Sequence, residues 1–88
     1  MLMLRRSKGQ IIAQILEICL MPGVVKTNVI CRSNLNFKTA TPYLDLLIRR
    51  GLLDAVPGKP TIYKTTPKGR KGLKALRAIE KIIQDQLE

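Results

Sequence analysis

The chain contains no histidine, and its six acidic residues, Glu17, Asp45, Asp54, Glu80, Asp85 and Glu88, are scattered. General acid–base work falls most often to histidine or to paired carboxylates in one cleft. The sequence therefore reads as that of a protein that is not an enzyme. Cysteine is scarce as well. Cys19 and Cys31 stand twelve positions apart, and two thiols without a histidine make no metal framework. In a cytosolic chain they are not expected to pair as a disulfide. Both read as buried free thiols in apolar helical surroundings, so no metal and no cofactor is expected. The aromatics number three: Phe37, Tyr43 and Tyr63. That is poor provision for stacking single-stranded bases, which counts against RNA binding. The apolar runs are broken by Gln14, Glu17 or Arg49, and none is long enough to span a membrane. Met1 to Leu4 is too short for a signal-peptide core, and Arg5 and Arg6 follow it rather than precede it. A cytoplasmic location is expected. Gly58 stands alone between two short strands, so no glycine-rich phosphate loop exists, and no small-molecule ligand can be read.

Basic residues are abundant. Sixteen Lys and Arg against six Asp and Glu give a net charge of +10 on 88 residues, the length of one domain. A surplus this large draws polyanions, nucleic acid first. Between Asp54 and Glu80 there is no acid and there are seven bases: Lys59, Lys64, Lys68, Arg70, Lys71, Lys74 and Arg77. Arg5, Arg6 and Lys8 add a basic N-terminal arm.

Apolar spacing organises the rest. Ser7 to Leu20 reads as a first helix, with Ser7 and Gln10 as a capping box and Ile11, Ile12, Ile15, Leu16 and Cys19 on one face. Met21-Pro22-Gly23 ends it. Lys26 to Arg32 reads as a short second helix that turns Val29 and Ile30 inward. Asn36 then caps a third helix running to Arg50, with Phe37, Ala40, Leu44, Leu47 and Ile48 on its inner side and Gly51 as its stop. Pro42 lies inside that helix and removes one backbone bond, which distorts the first turn. The other reading starts the regular helix at Thr41 as N-cap with Pro42 at its first position, but Phe37 and Ala40 already belong to the apolar face and favour the longer helix. Leu52–Val56 and Thr61–Thr65 read as strands around the turn Pro57-Gly58-Lys59-Pro60. Thr66 caps a fourth helix with Pro67 at its first position, and that helix can run to the end of the chain. Gly69 and Gly72 on it mark close backbone packing.

The fold class is thus mainly α with a small β-hairpin: helix, helix, turn, helix, hairpin, helix. Three segments stand in this order: K-G-Q-I-I-A-Q-I-L-E-I-C, S-N-L-N-F-K-T-A-T-P-Y-L-D-L-L-I-R-R-G-L-L and I-Y-K-T-T-P-K-G-R-K-G-L. In them the chain resembles the small archaeal winged-helix DNA-binding proteins, a group of chromatin-associated dimers and transcription regulators. Pro42 departs from the family pattern. The resemblance implies a winged helix-turn-helix whose second and third helices form the helix-turn-helix and whose hairpin is the wing.

Its expected partner is double-stranded DNA. A recognition helix offers its solvent face to base edges. At 100° per residue Lys38, Thr39, Pro42 and Arg49 project opposite the apolar face, with Tyr43 and Asp45 at its edges. Asn36 and the free N–H groups at the helix start suit phosphate, and Lys59 and Lys64 place positive charge on the wing. Leu46 projects outward with no assigned role. The other reading is a winged-helix protein-interaction module in a larger nucleic-acid-associated complex. Residues 1–66 are read as the winged-helix core and residues 67–88 as a C-terminal helix that forms a homodimer. Leu73 and Leu76 start an apolar stripe that can pack on the chain's own core. Ile79, Ile82, Ile83 and Leu87 continue it beyond that core and are the expected dimer contacts.

Overall fold

A computed structural model describes residues 6–20 and 22–87, with the backbone alone for residues 84–87. The elements follow the expected order with one addition. They are α1 (Lys8–Ile18), β1 (Val24–Val25), α2 (Lys26–Ser33), α3 (Phe37–Arg49), β2 (Leu53–Val56), β3 (Ile62–Thr65) and α4 (Pro67–Leu87). The capping box of α1 forms: Gln10 N donates to Ser7 Oγ at 3.1 Å and Ser7 N donates to Gln10 Oε1 at 2.7 Å. Helix α3 runs unbroken through Pro42. The Thr41 hydroxyl donates to the Phe37 carbonyl at 2.9 Å, alongside the gap that the missing proline N–H leaves in the helical bonding. Gly51 closes α3 with φ +74, the left-handed conformation that glycine adopts at no steric cost.

The addition is β1. Val24 pairs with Tyr63 and Val25 with Ile62, antiparallel, so the wing is the outer part of a three-stranded sheet of order β1-β3-β2. Two β-branched residues suit an extended backbone. A two-residue strand leaves no period to detect, and its partner lies nearly forty residues further along the chain.

The core is built from Ala13, Ile15, Leu16, Ile18 and Cys19 of α1 and its cap, Val29 of α2, Leu44 and Leu47 of α3, Leu53 of β2 and Leu73 of α4. Thr65 is buried with both polar groups satisfied: its hydroxyl donates to the Leu16 carbonyl at 2.6 Å and its N–H to the Cys19 carbonyl at 3.0 Å. Those two bonds fasten the wing to the end of α1. A second knot joins the ends of α3 and α4. Thr66 Oγ1 donates to the Gly51 carbonyl at 2.7 Å and accepts from Gly69 N at 2.9 Å, and Lys68 Nζ donates to the Arg50 carbonyl at 2.9 Å. Gly69 passes so close that a Cβ there would collide with the Leu52 carbonyl oxygen.

Two sequence expectations are corrected. Cys19 is buried, and burial pushes its thiol up to about 11 against the opposing charge of Arg32, but Cys31 is exposed. On α2 the buried positions are Val29 and Ser33, four apart, and Cys31 falls between them on the outside. Phe37, expected on the inner side of α3, is 60% exposed. Its angle is roughly right. It lies at the first position of the helix, nearly a turn before the first buried residue, Ala40, where the core has already ended. Among the described residues no helix is long and apolar enough to cross a membrane.

Candidate nucleic-acid interface

Helix α3 meets the core through Ala40, Leu44 and Leu47, which fixes what faces outward. Lys38, Thr39, Pro42, Asp45 and Arg49 are exposed, and Tyr43 is half-buried against the core. The α3 residues singled out from the sequence thus share one helix surface. Asn36 does what an N-cap does, its Oδ1 accepting from Thr39 N at 2.7 Å. The N–H groups of Phe37 and Lys38 precede the first helical bonds. No acidic residue occupies the first turn of α3, or of α1, α2 or α4. The positive end of each helix therefore has no carboxylate in its own first turn.

Leu46 acquires a place. Together with Lys8, Pro42 and Tyr43 it lines an open cavity of about 280 Å³. The first residue of α1 therefore stands beside the outward face of α3, which brings Lys8 next to Pro42, Tyr43 and Leu46. Arg6 is used differently. Its guanidinium donates to Gln14 Oε1 and to the Ser33 carbonyl, the latter at 2.6 Å, so it ties the chain start to the end of α2. Arg5 lies outside the described residues.

On the wing, β2 and β3 pair from Leu53–Thr65 to Val56–Ile62, and the turn carries Lys59 at its tip. Lys59 and Lys64 are both exposed. The seven bases between Asp54 and Glu80 do not act as one set. Lys68 is bonded to the Arg50 carbonyl. Arg77 bridges Glu17 at 2.9 Å and Glu80 at 3.0 Å, and the hydrogen bond to Glu80, ahead of the charge of Glu17, pushes its pKa up. Arg70, Lys71 and Lys74 border a second cavity, of about 360 Å³, with Leu20 and Leu73. Sequence order alone gives no sign of these separate uses.

Further along α4, Leu73 is 8% exposed and Leu76 packs against the core, whereas Ile79, Ile82 and Ile83 are 55%, 62% and 54% exposed. The side chain of Leu87 lies outside those described. Three large apolar side chains within five residues form a patch that a small soluble domain rarely leaves open.

Three comparisons with known proteins bear on this geometry. A family model described as winged helix-turn-helix matches residues 5–84. Sso10a-2, a DNA-binding protein from Sulfolobus solfataricus, has a similar structure: TM-score 0.85 at 29% identity, over 93% of this chain and 86% of that one. The PcaV transcriptional regulator from Streptomyces coelicolor, in complex with its natural ligand, superposes with TM-score 0.74 at 26% identity, over 92% of this chain and 61% of its own length. The multiple antibiotic-resistance repressor from Listeria monocytogenes shares the fold, with TM-score 0.69 at 18% identity over 88% of this chain and 57% of that one. The chain thus spans less than two thirds of either regulator. No curated protein sequence matches it.

Proposed function

The chain belongs to the winged helix-turn-helix family, and on that premise we propose that it binds double-stranded DNA and does no chemistry on it. Helix α3 lies in the major groove with Lys38, Thr39, Pro42, Tyr43 and Arg49 toward the bases and phosphates, and Asn36 sets the free N–H groups of its start against the backbone. Lys59 and Lys64 of the wing take flanking phosphates. Residues 1–66 supply the DNA-binding core. Residues 67–88 supply a dimer helix, in which Ile79, Ile82, Ile83 and Leu87 meet their counterparts across a two-fold axis and hold two copies of α3 at a fixed spacing. The protein acts in this way as a transcription regulator or an architectural chromatin protein.

The observation that carries this reading is the outward face of α3. It is exposed, it begins at a helix N-terminus with no acidic residue in its first turn, and its cations Lys38 and Arg49 extend from a helix whose opposite face is locked in the core. The similarity to a DNA-binding protein over nearly the whole chain supports it.

Binding to duplexes across a salt series tests it. If a dimer neutralises roughly six to ten phosphates, affinity falls about a thousandfold or more between about 50 and 200 mM salt. Lys38→Ala and Arg49→Ala weaken binding with the fold intact, and Lys59→Ala weakens it less and equally on all sequences. Selection from a random pool separates the two roles: a regulator prefers its site by roughly three decades or more, a chromatin protein does not. A flat salt response, or no duplex binding at low salt, removes the DNA reading and leaves the protein-interaction module.

A further inference from the structure

Phe37 takes no part in the core or in the shell packed against it. It stands at the first position of α3, it is 60% exposed, and the Lys26 ammonium lies over its ring, 4.2 Å from the centroid. A lone exposed apolar side chain is ordinary on a protein surface, and what marks this one is its place at a helix start with a cation over its ring. In the helix-turn-helix arrangement, however, this end of the third helix is the part that reaches base edges. Among the four bases only thymine offers an apolar group in the major groove, its 5-methyl, and a phenyl ring is an apolar surface suited to it.

We propose that Phe37 is a specificity-determining residue that packs on thymine methyl groups, with Lys26 as the positioning residue that holds its ring; this rests on the DNA reading of α3. Lys26 is the first residue of α2, and the first helix of a helix-turn-helix crosses the phosphate backbone. Its ammonium therefore has two faces to satisfy, the ring on one side and a phosphate on the other. A cation over the ring restricts a side chain with only two rotatable bonds, so the aromatic surface is set before DNA arrives and less ordering is lost on binding. Phe37 thus adds an apolar contact at the very start of α3, on a different side of the helix from the cations Lys38 and Arg49.

The test compares two versions of one AT-rich duplex pool, one with thymine and one with deoxyuridine, which lacks only the methyl. The parent chain binds the thymine pool more tightly, by about fourfold for each methyl covered. Phe37→Ala binds both pools alike, and Phe37→Leu keeps part of the preference. Lys26→Met weakens both pools, lowers the salt slope by about one and narrows the preference without abolishing it. Far-ultraviolet circular dichroism and thermal unfolding of each variant establish that the fold is intact, as expected for changes at exposed Phe37 and half-buried Lys26. If Phe37→Ala keeps the full preference, or if the parent binds both pools equally, the assignment of Phe37 falls while the DNA reading stands. If the parent binds neither pool, the DNA reading falls and takes this inference with it.

Discussion

Leu76 and Ile83 occupy nearly the same line on α4, two turns apart, and they meet opposite surroundings. Leu76 packs against the core, with its Cδ2 3.6 Å from where a Cβ on Gly9 would stand. Ile83, about 10 Å further along the helix, is 54% exposed. The sequence treats the two positions alike, as members of one apolar stripe. The structure divides them, because α1 covers the stripe only as far as it reaches. An apolar face therefore carries two kinds of information. Its angle says which side of a helix is turned from water, and its extent beyond the core says where something else is required. Phe37 repeats the lesson at the start of α3, where the inner side begins before the core does.

The largest effect that tests this division is on stability. Leu73→Ala removes a side chain from the core cluster and is expected to cost about 2–5 kcal/mol. Ile83→Ala removes one that solvent already reaches, and in dilute solution it should change stability by less than about 0.5 kcal/mol. Urea unfolding at low protein concentration measures both. Equal losses would mean that the outer half of α4 folds back on its own domain and that the division is false.

The next effect is on association. Burying Ile79, Ile82 and Ile83 in a two-fold interface gains up to about 1.5–3 kcal/mol for each side chain. Replacing any one of them by alanine should raise the dimer dissociation constant roughly tenfold or more. A chain ending at Arg77 should be monomeric. Sedimentation equilibrium reads both outcomes. A full chain that is monomeric at micromolar concentration, or a truncated chain that still pairs, sinks dimerisation through α4.

How much of this was legible in the sequence follows from the same distinction. Features set by neighbouring residues were legible: the Ser7–Gln10 capping box, the Asn36 cap, Gly51 at the end of α3, Thr66 and Pro67 at the start of α4, and the inward faces of α1 and α3. Of the two glycines of α4, Gly69 is the close approach that its place implies, against the Leu52 carbonyl, whereas Gly72 is not, since a Cβ there would meet only the Leu52 side chain at 3.6 Å. Features set by distant residues were hidden. β1 exists because β3 pairs with it, Cys31 is exposed because α2 turns Val29 and Ser33 inward, and Phe37 is bare because α3 starts ahead of the core. Of the candidate interface, the surface of α3 follows from periodicity. Which cations are free follows only from the fold, since Arg6, Lys68 and Arg77 are engaged with protein groups that lie as far as sixty positions away.

The smallest expected effect sits at the boundary between the two halves of α4. There Arg77 reaches Glu17 on α1 at 2.9 Å while also holding Glu80 one turn on. Both carboxylates and the guanidinium are partly solvated, and an ion pair in that setting contributes at most about 1 kcal/mol, less as salt is added. Glu17→Gln should therefore lower stability by under about 1 kcal/mol at low salt and by less still near 1 M salt, where screening is nearly complete. The same change takes the net charge from +10 to +11, so duplex affinity should rise slightly at low salt while stability falls. Opposite signs in the two measurements are the signature of an ion pair that marks where α4 leaves α1 without holding it there. A loss of several kcal/mol from Glu17→Gln would instead make charge, and not the packing of Leu73 and Leu76, the reason the inner half of α4 stays in place.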